Sequence, residues 1–254
     1  IKTCTNMTLY EFFGCALLAF GPPLNMFIFT IAGDPLKIIL LIASSFFWLL
    51  SLLMSSIIWF AVVPLREHLI FGLSVSVIFQ ELFRFLFYLL LSKADAGLKK
   101  VSVSETPITS KRSLLAYVSG FGFGIMSGIF SLVNILADAT GPGTMGLKGD
   151  SQYFFITSTL LTLCFELLHI TWSVILHYSL DFKKYVLIPL VVISHYVAST
   201  ITLLNKQQLY YVSIPVAYLI LVVCTMIAFH LAGVTKNSLK AFIVGKSHSY
   251  EIHS

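Results

Sequence analysis

Long apolar runs, separated by short polar segments, dominate the chain. Seven runs reach about 20 residues, the length that crosses the hydrocarbon core of a bilayer as a helix. Turn residues fill the breaks, as in "AGDP" at 32–35 and "DFKK" at 181–184. The pattern predicts an all-α, polytopic membrane protein in which residues 1–254 form a single domain with seven transmembrane helices. The predicted spans are roughly 9–32, 37–63, 68–92, 113–137, 153–178, 186–204 and 209–234.

Composition supports a membrane protein and argues against a soluble one. The chain is 57% hydrophobic and 11% charged, whereas a soluble domain averages about 25% charged residues. The net charge of +5 is modest, and no soluble segment alternates basic and aromatic residues. We therefore expect membrane lipid as a partner and no nucleic acid.

Basic residues divide unequally between alternate loops. Eleven lie on one set of loops and four on the other, while Arg84 lies inside the third span. Because cytoplasmic loops carry the excess of Lys and Arg, the N-terminus is predicted to be luminal or extracellular and the C-terminus cytosolic. An odd number of spans agrees with opposite locations for the two ends.

Neither the cysteines nor the first residues indicate a further site. The four cysteines show no CxxC spacing and three lie in apolar runs, so we expect buried packing thiols, with no metal and no cofactor. Met7 is a plausible translation start, and we expect residues 1–6 to be either upstream translation or a fragment edge.

The stretch "AYVSGFGFGIMSGIF" at 116–130 places small residues at every fourth position of the fourth span. Ala116, Gly120, Gly124 and Gly128 form one stripe along a helix, and such stripes let another helix backbone approach closely. We interpret them as a helix-packing and assembly surface. The partner helix is either another span of this chain or a helix of another subunit.

Two polar groups lie inside predicted spans. Glu81 and Arg84 are three residues apart, share a helix face and are interpreted as a structural ion pair, with ion or proton transport as the alternative. Glu166, His169 and His195 are hypothesised to meet in a buried polar cavity. Separate packing roles, or a proton relay, a metal site or hydrolysis, are the other interpretations.

Enzyme and receptor motifs are incomplete. An intramembrane aspartyl protease needs two aspartates at depth, whereas all five aspartates are predicted to lie in loops. "LKGD" at 147–150 lacks the leading glycine of GxGD, and "IMSG" at 125–128 lacks that of GxSG. A seven-span receptor would fit the topology, but "LLLSKAD" has no DRY-like triplet and the last span has no NPxxY.

Several segments, in order along the chain, resemble the anterior pharynx defective 1 family, the polytopic subunit of gamma-secretase. The glycine register and "NILADATGPGT" are the most specific of them, and "LLHITW" extends the match into the fifth span. The other matching segments are "FFGCALLAFGP", "TIAGDPLKIILLIASSFFWLLSLLMSSIIWF", "QELFRFLFYLLLSKADAGL" and "AYVSGFGFGIMSGIFSLVNILADATGPGTMGLKGDSQYFFITS".

The resemblance implies a noncatalytic scaffold rather than an enzyme. Such a subunit binds nicastrin, stabilises presenilin and joins a small fourth subunit, in a complex that cleaves type I membrane proteins such as Notch. Its functional glycines correspond to Gly120, Gly124 and Gly128, and its membrane histidines to His169 and His195. The expected locations are the endoplasmic reticulum, Golgi and plasma membrane. A receptor or transporter with a histidine-lined polar cavity is the alternative.

Overall fold

Seven long helices make up the protein in the computed structural model, which describes residues 9–65, 67–101, 112–140 and 153–233. Each is long and apolar enough to cross a membrane, the sixth together with the 3₁₀ segment that follows it, which confirms the predicted all-α, seven-span architecture. The helices are α1 Leu9–Thr30, α2 Pro35–Ala61, α3 Leu69–Val101, α4 Arg112–Thr140, α5 Phe154–Asp181, α6 Leu187–Ile201 and α7 Tyr210–Leu231. A 3₁₀ segment, Thr202–Gln207, extends α6.

The turn between α1 and α2 illustrates how the polar breaks end and restart helices. The Asp34 side chain accepts a hydrogen bond of 3.0 Å from the backbone N–H of Leu36, and Pro35 occupies the first turn of α2. Both features are favourable at a helix start. Lys37 donates to the carbonyl of Thr30 at 2.9 Å, satisfying a backbone acceptor at the end of α1.

Helices α4 and α5 form the centre of the bundle. In the most apolar, membrane-spanning part of each helix, 56% of the residues are buried in α4 and 67% in α5, against 17–28% in the other five helices. Helix α4 packs against α5, α2 and α1, and α5 packs against α7, α1 and α6. Polar side chains on α4 and α5 therefore face protein, whereas most apolar side chains on the outer helices face lipid.

The prediction that all five aspartates lie in loops is wrong for three of them. Asp95 lies in α3, Asp138 in α4, and Asp181 is the last residue of α5. Helices α3 and α4 continue past their membrane-spanning stretches, which end at Ala94 and Val133, because segments rich in Ala, Leu and Lys favour helix. Asp34 lies in the α1–α2 turn, and Asp150 with "LKGD" falls outside the described residues.

Candidate functional site

A buried polar network joins α3, α5 and α6. Arg84 lies 3.2 Å from the Glu81 Oε1 atom, one turn away on α3. Its Nη2 atom donates to Nδ1 of His169 on α5 at 2.6 Å. From α6, Nδ1 of His195 donates to the same Glu81 oxygen at 2.6 Å. The Glu81–Arg84 pair and the two histidines, which the sequence suggested separately, are therefore joined in one network of contacts.

The four side chains are almost completely withdrawn from the surface. Glu81 is 8% exposed, Arg84 and His169 are 1% exposed, and His195 is 2% exposed. A charge buried in this way costs several kcal/mol unless an opposite charge and hydrogen bonds compensate it. Glu81 and Arg84 compensate each other, and the two histidines occupy further hydrogen-bonding positions of the pair.

Aromatic rings enclose this network. Trp172 stacks on His195 with ring centroids 4.2 Å apart and meets His169 edge-on at 5.4 Å. The Cζ atom of Arg84 lies 5.3 Å from the Phe123 ring centroid and 5.6 Å from that of Trp172, where a cation is attracted to the ring face. Sequence reasoning missed both aromatic residues. The i, i+3 spacing of His169 and Trp172 could have indicated Trp172.

The hydrogen-bond partners define the histidine tautomers. An arginine has only donors, so Nδ1 of His169 accepts and its ring proton lies on Nε2. A carboxylate only accepts, so Nδ1 of His195 carries a proton and, in the neutral ring, Nε2 is an acceptor. The two rings, 5.3 Å apart and nearly perpendicular, therefore differ in their remaining hydrogen-bonding capacity.

Both histidines line a cavity of about 460 Å³ between α3, α4, α5 and α6. The cavity extends from the histidines to the end of the bundle where α3 and α5 begin, along residues such as Ser76, Ser158 and Asn205. Eleven of its sixteen lining residues carry a hydroxyl, amide or imidazole group, and the other five are apolar. The structure thus brings His169 and His195 together beside this cavity.

Glu166 makes no hydrogen bond to either histidine and does not line this cavity. Its carboxyl group lies against Gly128 of α4, where a Cβ atom would come within 2.6 Å of the Glu166 Cδ atom. Neither carboxyl oxygen has a hydrogen-bond partner, although the residue is only 2% exposed. Three residues along a helix leave a 60° offset, which here turns Glu166 towards α4 and His169 towards α3.

The glycine stripe of α4 packs against α5 of the same chain. A Cβ atom on Gly120 would lie 2.7 Å from the Ile170 Cα atom, and one on Gly124 would overlap the Glu166 carbonyl. Ala116 is also buried. The close approach expected of the stripe is thus made within this chain.

Sequence reasoning missed the opposite face of α4. Gly122, outside the four-residue register, faces α2, and a Cβ atom there would lie 2.7 Å from the Leu41 carbonyl. The Ser45 hydroxyl donates to the Gly122 carbonyl at 3.3 Å. Glycines therefore allow two helices to approach α4, one from each side.

The other end of the bundle is closed by a second polar group. Arg112, at the start of α4, pairs with Asp181, at the end of α5. The Tyr88 hydroxyl of α3 donates to the same aspartate at 2.9 Å, and the Tyr88 ring meets His177 edge-on. Three helices are therefore joined here as well, on the side away from the cavity.

Comparisons with known proteins agree with this architecture. The sequence profile of the Aph-1 protein family matches residues 10–235. The chain belongs to the Aph-1 family. It is 52% identical to "Gamma-secretase subunit Aph-1" of Drosophila melanogaster over 93% of this chain and 99% of the relative. Identity is 44% to "Gamma-secretase subunit APH-1B" of Mus musculus, over 98% of each chain.

The chain is also similar to a third Aph-1 relative of similar length. "Gamma-secretase subunit Aph-1b" of Danio rerio is 45% identical over 96% of this chain and 97% of the relative. Because these matches extend through α6 and α7, family membership also covers the last two spans, where the sequence resemblance alone was weak. Within the described residues of this Aph-1 protein, no group of three or more His, Cys, Asp or Glu side chains is arranged to hold a metal.

Proposed function

We propose that this protein is a noncatalytic scaffold subunit of a gamma-secretase complex. The observation that carries the proposal is the Aph-1 family match along residues 10–235, since the relatives named above are gamma-secretase subunits. Its partners are nicastrin, presenilin and the small fourth subunit. The assembled complex would cleave type I membrane proteins such as Notch in the endoplasmic reticulum, Golgi and plasma membrane.

The buried carboxyl groups support a role without catalysis. Aspartyl chemistry requires two carboxyl groups that share one site, so that one holds a proton while the other activates water. Here Glu81 is occupied by Arg84 and His195, whereas Glu166 lies against Gly128. Glu81 thus joins helices by polar contacts and Glu166 fills the space beside Gly128, and neither shares a site with a second carboxyl group among the described residues.

Helix positioning is the contribution that this geometry can make to a complex. The polar network fixes α3, α5 and α6 relative to one another, and the glycines fix α4 against α5 and α2. The outward faces of these helices then have a defined arrangement that presenilin can recognise. His169→Ala should therefore lower the amount of mature presenilin, although insertion, which depends on hydrophobicity, continues.

The orientation of the ends is part of the proposal. The excess of basic residues predicts that the 93–112 segment is cytosolic and the 138–152 segment luminal. An N-glycosylation site engineered into 138–152 should be modified and one in 93–112 should not. The opposite labelling pattern would refute this orientation.

Purification of the tagged protein in mild detergent tests the proposed assembly. We expect nicastrin and presenilin to be recovered with the wild-type chain, and less of both with His169→Ala at equal expression of this protein. Tyr211→Phe, at an exposed position on α7, is the control. The amounts of nicastrin and presenilin recovered with this variant should equal those recovered with the wild-type chain. Recovery of neither partner with the wild-type chain would contradict the scaffold proposal.

The cavity supports one alternative, a seven-span receptor or transporter. A polar cavity beside intramembrane histidines is the kind of feature that ion or proton pathways use. Ion flux through liposomes that contain only the purified chain, or recovery of a G protein with it, would favour this alternative. The absence of ion flux in these liposomes, together with recovery of presenilin, would exclude the receptor or transporter alternative.

A further inference from the structure

The cavity between α3, α4, α5 and α6 has the size of a ligand site. Its volume of about 460 Å³ lies within the range of roughly 300–1,000 Å³ found for small-molecule pockets. His169 and His195 form its inner end, near the middle of α5 and α6. Its outer end is where α3 and α5 begin, opposite the Arg112–Asp181 pair.

The cavity wall favours a neutral ligand. Seven Ser or Thr hydroxyls, the amides of Gln80 and Asn205 and the two imidazoles contribute its polar surface, and none of the lining residues is Asp, Glu, Lys or Arg. An ion that left water for this cavity would lose hydration and meet no uncompensated opposite charge. A polar but uncharged compound would lose less hydration free energy than an ion. The hydrogen bonds that it makes to water could be replaced by hydrogen bonds to the cavity wall.

Hydrogen bonds within the helices make part of this wall acceptor-rich. The Ser131 hydroxyl donates to the Ser127 carbonyl at 2.7 Å, and the Thr202 hydroxyl donates to the Ser199 carbonyl at 2.6 Å. A hydroxyl that already donates its proton still has lone pairs that accept. The ligand should therefore bring its own O–H or N–H donors.

The inner end of the cavity matches a hydroxyl group in particular. The tautomers leave a donor, Nε2–H, on His169 and an acceptor, Nε2, on neutral His195, on rings 5.3 Å apart. A hydroxyl oxygen can accept from the first ring while its proton is donated to the second. A carboxylate, which only accepts, or an ammonium group, which only donates, could form a hydrogen bond with only one of the two Nε2 atoms.

We propose that this cavity binds a neutral compound carrying two or more hydroxyl groups. One hydroxyl bridges His169 and His195, and the others donate to hydroxyl oxygens along α4 and α6. The source of this chemistry is either a soluble polyol or the polyol headgroup of an uncharged lipid that enters from the membrane. The site belongs to this chain alone and does not depend on the proposed role in a complex.

Histidine ring ¹⁵N NMR of the full chain in nanodiscs tests the proposal, with the signals assigned by single His→Gln variants. Glycerol is the soluble probe and 1-mono-oleoylglycerol, added to the nanodisc lipid, is the lipid probe with the same hydroxyl chemistry. Sodium sulfate and choline chloride are the charged comparisons. We expect saturable shifts of the His169 and His195 ring signals with a hydroxyl probe and none with the charged ones.

A pair of matched variants locates the site. Ser131→Leu places an apolar side chain at the cavity wall and should weaken binding by about tenfold or more. Ser56→Leu is the control, because Ser56 is also an exposed membrane serine that donates to a carbonyl one turn earlier, on α2, and it should leave binding unchanged. Saturation by mono-oleoylglycerol alone would identify the lipid as the source, and saturation by glycerol alone the soluble compound.

Three results would overturn the proposal. They are the absence of saturable shifts with both hydroxyl probes, an equal response to sulfate or choline, and unchanged binding in Ser131→Leu.

Discussion

Among the residues that the structure describes, Glu81 and Glu166 are two buried carboxyl groups at membrane depth, and their surroundings differ. Glu81 on α3 contacts a guanidinium and an imidazole from another helix. Glu166 on α5 is also buried, yet neither of its oxygens has a hydrogen-bond partner, and its carboxyl group lies against Gly128. The first carboxyl group joins helices by polar contacts, while the second only occupies the space that a glycine leaves. Burial alone therefore does not indicate what an intramembrane acid contributes.

Removing each carboxyl group in turn should give the largest difference. Glu81→Ala leaves Arg84 buried without its counter-charge, which should cost about 3–5 kcal/mol of unfolding free energy. Glu166→Ala removes a group that has no partner and should be nearly neutral or stabilising. Reversible unfolding of the purified chain in mixed detergent micelles measures both. Equal losses would show that the two carboxyl groups are not as different as their contacts indicate.

The contact between Glu166 and Gly128 allows a sharper test. Gly128→Ala should place a methyl group where the carboxyl group now lies and cost about 1–3 kcal/mol. In the Glu166→Ala background the same methyl group meets free space, so the cost should largely disappear. Gly14→Ala is the control, because nothing lies within 4 Å of a Cβ atom there. An unchanged cost of Gly128→Ala in both backgrounds would mean that this glycine serves a different contact.

A third acid, Asp181, should have the smallest effect. It pairs with Arg112, whose side chain is 46% exposed, and exposed ion pairs contribute roughly 0–1 kcal/mol and are screened by salt. Asp181→Asn should therefore lower the unfolding free energy by less than about 1 kcal/mol, and less in high salt. A loss as large as that of Glu81→Ala would place this pair in the same class as the inner network.

Much of the fold could be predicted from the sequence because lipid imposes a strong length and polarity pattern. The seven apolar runs, the Asp34–Pro35 helix start and the spacing of Glu81 and Arg84 are all local features. The prediction that Asp95 and Asp138 lie in loops was wrong because it ended each helix at the membrane boundary. Helical hydrogen bonding does not stop there when the flanking residues favour helix.

The arrangement of the candidate site depends on rotations that one sequence does not define. His169 and His195 lie together, and the residues that complete their network are Glu81 and Arg84 rather than Glu166. A helix residue changes direction by 100° per position, so the face that α3 presents to α5 and α6 is set by packing. Gly122, Phe123 and Trp172 were missed for the same reason, since their neighbours come from helices distant in sequence.

Glu81, Arg84, His169 and His195 act as one unit that holds α3, α5 and α6 together. The most direct test is a double-mutant cycle of His169→Ala and His195→Ala, read as the unfolding free energy of the purified chain. If the four side chains are one network, the double variant should lose less than the sum of the two single losses, with a coupling energy of about 0.5–3 kcal/mol. Losses that add within about 0.5 kcal/mol would mean that the two histidines act independently and that the four side chains are not one network.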